Sequence, residues 1–448
     1  MALLTDRAAI EAHRLDRSGF TPAGAPVAVV LAETVDDVRS VLADASRSGT
    51  PVVPRGAGTG LAGGAAAGAG SIVLDVSRLN RIVEISAADE LAVVEPGVVT
   101  AELDRAAAGV GLRYAPDPAS AEISTVGGNI ATNAGGLRCA KYGVTRDAVL
   151  GLDVVLADGR LVSTGRRTVK GVAGYDLTGL FVGSEGTLGV IVGATLRLRP
   201  RSPGTTTIAA SFPDLATAAQ AVLAVTAAGV RPAVAELLDA ETCAAVAAFR
   251  GRPAAGTGAL LIVQTDGLGH DREADLVTAA LAPFASFASS APFASSAGSV
   301  RRAADEAEAA DLLADRRLAL PALERLGRPL IEDIAVPRSR LAEAMTAVGA
   351  IAAAHGVRIP TFAHAADGNI HPIILLGDGP DALAAEKAAD EIFALALRLG
   401  GTVTGEHGVG VLKRRWLAAE LGETALDLHH RLKRVLDPGE ILNPGKAI

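Results

Sequence analysis

The sequence predicts an α+β protein of more than one domain. Three observations carry this reading. The chain has 448 residues, too many for one small domain. Up to about residue 200, short apolar runs alternate with glycine-rich turns and no βαβ unit repeats. After the stretch from Pro200 to Gly204, strand and helix patterns alternate instead. Boundaries there and near residue 410 give segments 1–203, 204–410 and 411–448, the last of them helical in pattern.

Taken in order, residues 4–20 read as a polar helix, and "PVAVVLA" (26–32) as a strand. "TVDDVRSVLADASRSG" (34–49) reads as a helix with Thr34 as N-cap, because a threonine hydroxyl accepts from first-turn amides. "PVVPRG" (51–56) is a short strand running into a loop. "SIVLDVS", "LAVVEPGV", "AVLGLDVVLADGRLV" and "LGVIVGATLRLRP" follow as strands. Asp158-Gly159, set between two apolar runs, is a hairpin turn. Beyond the boundary strand, helix, strand and helix patterns follow one another, from "TTIAASF", "DLATAAQAVLAVTAAG" and "AVAELLD" to "ALLIVQTDG" further on. "PFASFASSAPFASSAG" (283–298) nearly repeats itself and reads as a surface insertion without chemistry. "EAEAADLLADRRLALPALERLG" and "LKRRWLAAELGETALDLHHRLKRVLD" are helical.

Composition narrows the function. Net charge is −8 and no lysine–arginine block stands out, so nucleic acid is not an expected partner. Two cysteines, Cys139 and Cys243, form neither a CxxC nor a disulfide framework. No apolar run is long enough to span a bilayer, and "MALLTDRAAIEAHRLDR" carries charges where a signal peptide needs an apolar core. A cytoplasmic location is expected, with a peripheral place at the inner membrane as its variant.

Three small-residue segments point to a long ligand held by backbone. "PRGAGTGLAGGAAAGAG" (54–70) has glycines at 56, 58, 60, 63 and 64 that leave amides unobstructed for an anion. It lacks the Lys-Ser/Thr ending of a P-loop and the GxGxxG of a Rossmann turn. "STVGGNIATNAGG" (124–136) and "FVGSEGTLGVI" (181–191) are the second and third. A dinucleotide fits such a path better than a mononucleotide; a flexible loop is the plain alternative for any one of them.

Two histidines flank Asp367-Gly368 in "FAHAADGNIHP" (362–372). If that pair is a two-residue hairpin turn, His364 and His371 lie directly opposite on one face, with Cβ atoms about 4.5–5.5 Å apart. That separation suits two imidazoles sharing a metal ion, and Glu406 of "TGEHGVG" can add an anionic third ligand. The alternative is a solvated hairpin with incidental histidines. In "ADRRLALPA" (314–322), Arg316 or Arg317 can clamp a carboxylate, though a helix-surface arginine is the plainer reading. Lys170 and Lys413 are weaker candidates.

"PVVPRGAGTGLAGGA", "YAPDPAS", "STVGGNIATNAGG", "KYGVTRD", "GSEGTLGVI" and "ILNPGK" together resemble the FAD-linked oxidases of the vanillyl-alcohol oxidase superfamily. Within it the likeness is to the branch of the glycolate oxidases and D-lactate dehydrogenases, from about residue 20 to the end. The resemblance implies a two-part FAD-binding domain over 1–203, a ferredoxin-like substrate and metal domain over 204–410, and a helical segment, 411–448, returning to the flavin. It implies that Arg55, Gly56, Ala57, Gly58, Thr59, Gly60 and Leu61 hold the pyrophosphate of FAD. Thr125, Gly127, Gly128, Asn133 and Gly135 would follow the adenosine and ribityl regions, with Glu185, Gly186, Gly189 and Val190 further along. It makes His364, His371 and Glu406 ligands of a divalent metal, zinc first among candidates, His407 the general base and Arg316 the carboxylate clamp. The expected reaction is oxidation of a short D-2-hydroxy acid, D-lactate or glycolate. "IHP" (His371-Pro372) departs from the Leu-Asn that follows this histidine in D-2-hydroxyglutarate dehydrogenases, which remain the alternative. An alkylglycerone-phosphate-synthase-like transferase, a metal-dependent hydrolase and a non-catalytic flavin-binding protein are the other readings. No histidine lies between His13 and His270, so the flavin is expected to be non-covalent. A quinone, cytochrome or electron-transfer flavoprotein is expected to accept electrons, with a homodimer or partner subunits left open.

Overall fold

The computed structural model describes residues 1–253, 258–285, 300–376 and 382–448. The chain forms two compact units, one of Met1–Gly136, Tyr142–Arg201 and Glu406–Ile448, the other of Leu137–Lys141 and Ser202–Gly405. Residues 406–410, grouped by sequence with the substrate domain, therefore belong to the first unit. The repetitive insertion lies outside the described residues from 286 to 299.

The first unit contains two main sheets. One has four strands in the order Ala2–Leu4, Ala28–Leu31, Ile72–Asp75, Val52–Arg55, the last three parallel. The other is antiparallel, in the order Ile82–Ser86, Leu91–Val94, Val190–Arg197, Val149–Val155, Leu161–Gly165. The helix Val35–Ser48 starts as expected at Thr34, which caps Asp37 and is capped in return by the Asp37 carboxylate. It buries Val38, Val41, Leu42 and Ala45 in a core with Val52, Leu74, Val155 and Val190. Asp158-Gly159 does turn the hairpin between the two strands flanking it, with Leu156 N–H donating to Arg160 O at 2.9 Å. At the N-terminus only Arg7–His13 is helical, shorter than residues 4–20; Asp6 caps it and residues 2–4 pair as a strand instead.

The end of the chain completes this unit. Val52 N–H donates to Ile441 O and Asn443 N–H donates to Val52 O, at 2.7 and 2.8 Å, so residues 441–443 cover the edge strand Val52–Arg55. Lys433 and Asp437, one turn apart on the helix Glu423–Leu436 and its cap, hold the return in place. The buried Lys433 ammonium donates to Asp437, to Thr187 O and to Leu442 O. The fully buried Asp437 carboxylate also accepts from Ile441 and Leu442 N–H.

The second unit is built on one antiparallel sheet. Its strand order begins Val300–Arg302, Thr205–Phe212, Ala259–Asp266, Val234–Leu238, with the chain passing through helices Leu215–Ala227 and His270–Leu281. That is the 4-1-3-2 order of a ferredoxin-like βαββαβ motif, with one extra helix, Ala240–Phe249. Strands Thr361–His364, Asn369–Leu376 and Arg328–Ile331 extend the sheet. One face buries Leu238, Leu260, Ile262, Phe362, Ile373 and Leu375 against helices Ala240–Phe249, Glu306–Arg317 and Ala319–Glu324. No helix among the described residues is long and apolar enough to cross a membrane.

Asp437→Ala leaves Lys433 buried without its counter-ion and frees two amides, so unfolding in denaturant should show a loss of about 3–5 kcal/mol. Lys446, whose ammonium is buried against Ala66 O, is pushed down to about 8 by desolvation. Between about pH 8 and the ordinary lysine value of about 10.4, the unfolded chain binds a proton that the folded chain lacks. Stability relative to Lys446→Met should therefore rise with pH across that window and be flat below it, measured by paired denaturant melts.

Candidate functional site

In the first unit the glycine-rich segments converge. Arg55 ends its strand buried, with Nη1 donating to Leu15 O at 2.8 Å. A Cβ on Gly56 would lie 2.3 Å from Thr125 Oγ1, so the first loop passes against the capping residue of helix Val126–Thr132 as only glycine allows. Among the described residues, nothing accepts from the amides of residues 57–61, which remain partly or fully exposed. That is a cradle of donors suited to a pyrophosphate. Asn133 closes the helix at φ 53°, and its side chain accepts from Arg146 N–H at 2.9 Å. Gly127 packs against Pro96, Gly186 against Pro54 and Gly189 against Val154, and Val190 is buried in its strand.

Glu185 is the hub of these loops. Its buried carboxylate accepts from Val409 N–H at 2.7 Å and from Gly410 N–H at 2.9 Å, and its carbonyl accepts from Asn443 Nδ2 at 2.7 Å. Burial raises its pKa, opposed by those two amides and by Lys446 and Lys413. Asn443 also donates to Gly64 O at 2.9 Å. Glu406 sits where a Cβ on Gly135 would come within 2.3 Å of its Oε2, and His407 Nε2 is 4.0 Å from Glu406 Oε1.

In the second unit the histidine hairpin differs from expectation. His364 pairs with Asn369 and Phe362 with His371, so the turn spans four residues, 365–368, rather than two. Gly368 N–H donates to His364 O at 3.2 Å, and Gly368, at φ 84°, presses against Val336 O, which a side chain would strike. The register moves by two, which preserves the face. His364 and His371 are therefore diagonal neighbours, with ring centroids 5.1 Å apart and rings nearly perpendicular at 88°. Both are buried.

Two acidic residues frame them. Glu236 is directly opposite His364 on the next strand. It accepts from His364 Nδ1 at 2.8 Å and from Arg316 Nε at 2.6 Å. Arg316 is buried in the last turn of Glu306–Arg317, over the Phe362 ring at 4.3 Å, whereas Arg317 is exposed. Asp333 accepts from Asn369 Nδ2 at 2.7 Å and Thr404 Oγ1 at 3.0 Å, and lies 3.9 Å from His371 Nδ1. Asn369 Oδ1 is a buried acceptor with no donor among the described residues. Sequence reasoning missed Glu236, Asp333, Asn369 and Asn443. The lone glutamate in the apolar "AVAELLD" was the legible signal for the first, since a buried charge demands a partner.

Two imidazoles on one face, one with its Nδ1 on a carboxylate, form a donor set suited to a divalent metal. Arg316 beside them suits a carboxylate. Lys170, by contrast, is exposed in its loop, and Lys413 is buried in the first unit.

Comparison with known proteins divides the chain near residue 200. Residues 26–165 match the FAD binding domain family, and residues 202–447 match the C-terminal domain of FAD linked oxidases. The chain is 42% identical to the glycolate oxidase subunit GlcD of Bacillus subtilis, covering 94% of this chain and 88% of that one. It is 35% identical to the D-lactate dehydrogenase of Archaeoglobus fulgidus, covering 98% and 96%. The structure of p-cresol methylhydroxylase with substrate bound superposes with a TM-score of 0.79 at 19% identity, over 99% of this chain and 93% of that one, a likeness of fold. With a two-part FAD-binding unit, a ferredoxin-like second unit and matches along nearly its whole length, the chain has the vanillyl-alcohol oxidase type of fold, belongs to the FAD linked oxidases and is an oxidoreductase.

Proposed function

We propose that the protein oxidises a short D-2-hydroxy acid, D-lactate or glycolate, to the 2-keto acid. The observation that carries this is the cluster of His364 and His371 on one buried face of the second unit's sheet with Arg316 of the helix Glu306–Arg317 packed against it. It offers a cationic fork and a pair of nitrogen ligands close together, as a molecule with adjacent carboxylate and hydroxyl groups requires. The relatives' names, glycolate oxidase subunit and D-lactate dehydrogenase, support the same class. His371-Pro372 favours these over D-2-hydroxyglutarate.

In this reading residues 55–61 and the loops around Thr125 and Glu185 hold FAD, and His364, His371 and Glu406 hold a divalent metal, zinc first. FAD supplies a two-electron acceptor, and the metal makes a bound hydroxyl more acidic. Arg316 binds and orients the substrate carboxylate through its guanidinium. His407 receives the hydroxyl proton on an imidazole nitrogen as general base. The buried setting of His364 and His371 keeps water from the reacting carbon. A quinone, cytochrome, electron-transfer flavoprotein or partner subunit then takes the electrons, and the name of the Bacillus subtilis relative, a subunit, favours an assembly.

The flavin is proposed to be non-covalent, because the loop 54–70 has no histidine to bond it. Acid precipitation should release all yellow colour to the supernatant, and colour left on the pellet overturns this. A dye-linked screen of D- and L-2-hydroxy acids, with and without chelator, tests the reaction, and His364→Ala against His407→Ala tests the roles. His364→Ala should lose metal and turnover while keeping FAD. His407→Ala should keep both metal and FAD and lose roughly 10²–10⁴-fold in turnover, as expected for a general base. Metal analysis and the flavin absorption spectrum decide between them. Full activity of a metal-free wild type sinks the metal assignment.

A further inference from the structure

We propose that Glu236 is a positioning residue that holds the substrate-binding Arg316 and the metal-binding His364 at once, one on each carboxylate oxygen. This rests on the reading above of His364 as a ligand and Arg316 as a clamp. The geometry is that of a two-sided bracket. Oε2 accepts from Arg316 Nε at 2.6 Å, and Oε1 meets His364 Nδ1 at 2.8 Å. Glu236 itself has no exposed surface, and its backbone is fixed in a central strand with Ile262 on one side and His364 on the other.

Each bond has a chemical consequence. A carboxylate only accepts, so His364 must carry its proton on Nδ1, which puts the ring's lone pair on Nε2. The imidazole is thereby fixed as the tautomer that ligates through Nε2, and its basicity as a ligand is raised. On the other side Glu236 engages Nε, the inner edge of the guanidinium. The two Nη groups then form the fork that meets a substrate carboxylate. Phe362, under the guanidinium at 4.3 Å, fixes the plane of that fork. One buried carboxylate thus sets the spacing between the group that binds the acid end of the substrate and a group that acts at its hydroxyl end. Substrates with a longer gap between carboxylate and hydroxyl do not match a spacing fixed in this way.

The test is the Glu236→Gln variant, of nearly the same shape. Glutamine has one acceptor oxygen and one donor NH₂, but both partners present N–H groups. Arginine cannot give up its proton, whereas imidazole can move its proton between nitrogens without changing charge. The amide oxygen should therefore stay on Arg316 and the NH₂ should turn to His364, forcing its proton onto Nε2. Histidine-¹⁵N spectra of the FAD-loaded, chelator-treated protein, with His364 assigned by a His364→Gln variant, should show the Nδ1–H tautomer in wild type and the Nε2–H tautomer in Glu236→Gln. Zinc titration of the two proteins should show affinity lower by ~10–100-fold in the variant, with the KM for D-lactate changing less than kcat. The wild-type spectrum alone keeps the proposal testable if the variant misfolds. An Nε2–H wild-type His364 in a protein that binds zinc overturns this proposal alone. So does a variant with unchanged zinc affinity and tautomer. A wild type with the expected tautomer that takes up no zinc overturns instead the metal reading on which the proposal rests.

Discussion

The first unit depends on the return of the chain's end, and that return depends on a carboxylate that water does not reach. Glu185 binds the amides of Val409 and Gly410 while its carbonyl holds Asn443. Residues hundreds of positions apart in sequence are thus joined through a few atoms. Closing so large a loop is entropically costly, but the cost grows only slowly with length. A few buried, charge-assisted hydrogen bonds, each worth about 1.5–3 kcal/mol, are enough to offset much of it. Lys433 and Asp437 reinforce the same closure from the helix, and residues 441–443 cover an edge strand that would otherwise present open backbone. The loops that form the amide cradle are held by these contacts.

The second unit meets a similar demand differently. Its sheet has two buried faces, and on one of them the strand period of two brings Glu236, Phe362, His364 and His371 together at the margin of an apolar core. Placing an arginine and a glutamate there is costly unless both are satisfied. The pairing of Arg316 with Glu236, the stacking on Phe362 and the His364 bond provide that satisfaction. An all-apolar patch of equal volume would hold the fold at least as well. The charges therefore point to function, and their burial is what keeps Arg316 in one rotamer.

Much of the fold was legible because it follows local rules. Thr34 and Asp37 cap a helix by chemistry that a sequence displays, and Asp158-Gly159 turns its hairpin where expected. Strand and helix alternation after Gly204 gave the elements, and the family resemblance implied the ferredoxin-like sheet they form. The histidine hairpin went astray for a tertiary reason. Asp367-Gly368 has the composition of a two-residue turn, but Gly368 O accepts from Val336 N–H, and Gly368 packs on Val336 O, contacts distant in sequence. These favour a four-residue turn. A slip of one residue would have moved every side chain to the other face, whereas the observed change of two in the pairing kept both histidines together. The glycine loops announced themselves by composition; Glu236 left only the signal of one charge in an apolar strand, and Asp333, between two strands, left none, because the partners of both come from elsewhere in the chain.

The same reasoning separates the two arginines that sequence left side by side. Arg316 and Arg317 both sit in the last turn of one helix, where a cation favours the carbonyl end of the helix dipole. That preference is equal for the two and cannot choose. The helical period puts them about 100° apart, so only one can face the sheet. Arg316 does, and is buried on Glu236 and Phe362; Arg317 faces outward and is exposed. A buried cation lowers its free energy only through fixed partners, and fixed partners are what give a guanidinium fork a direction. Arg317, with its rotamers unfrozen in water, has the same charge but no such direction, and direction is what binding a planar carboxylate at two points requires.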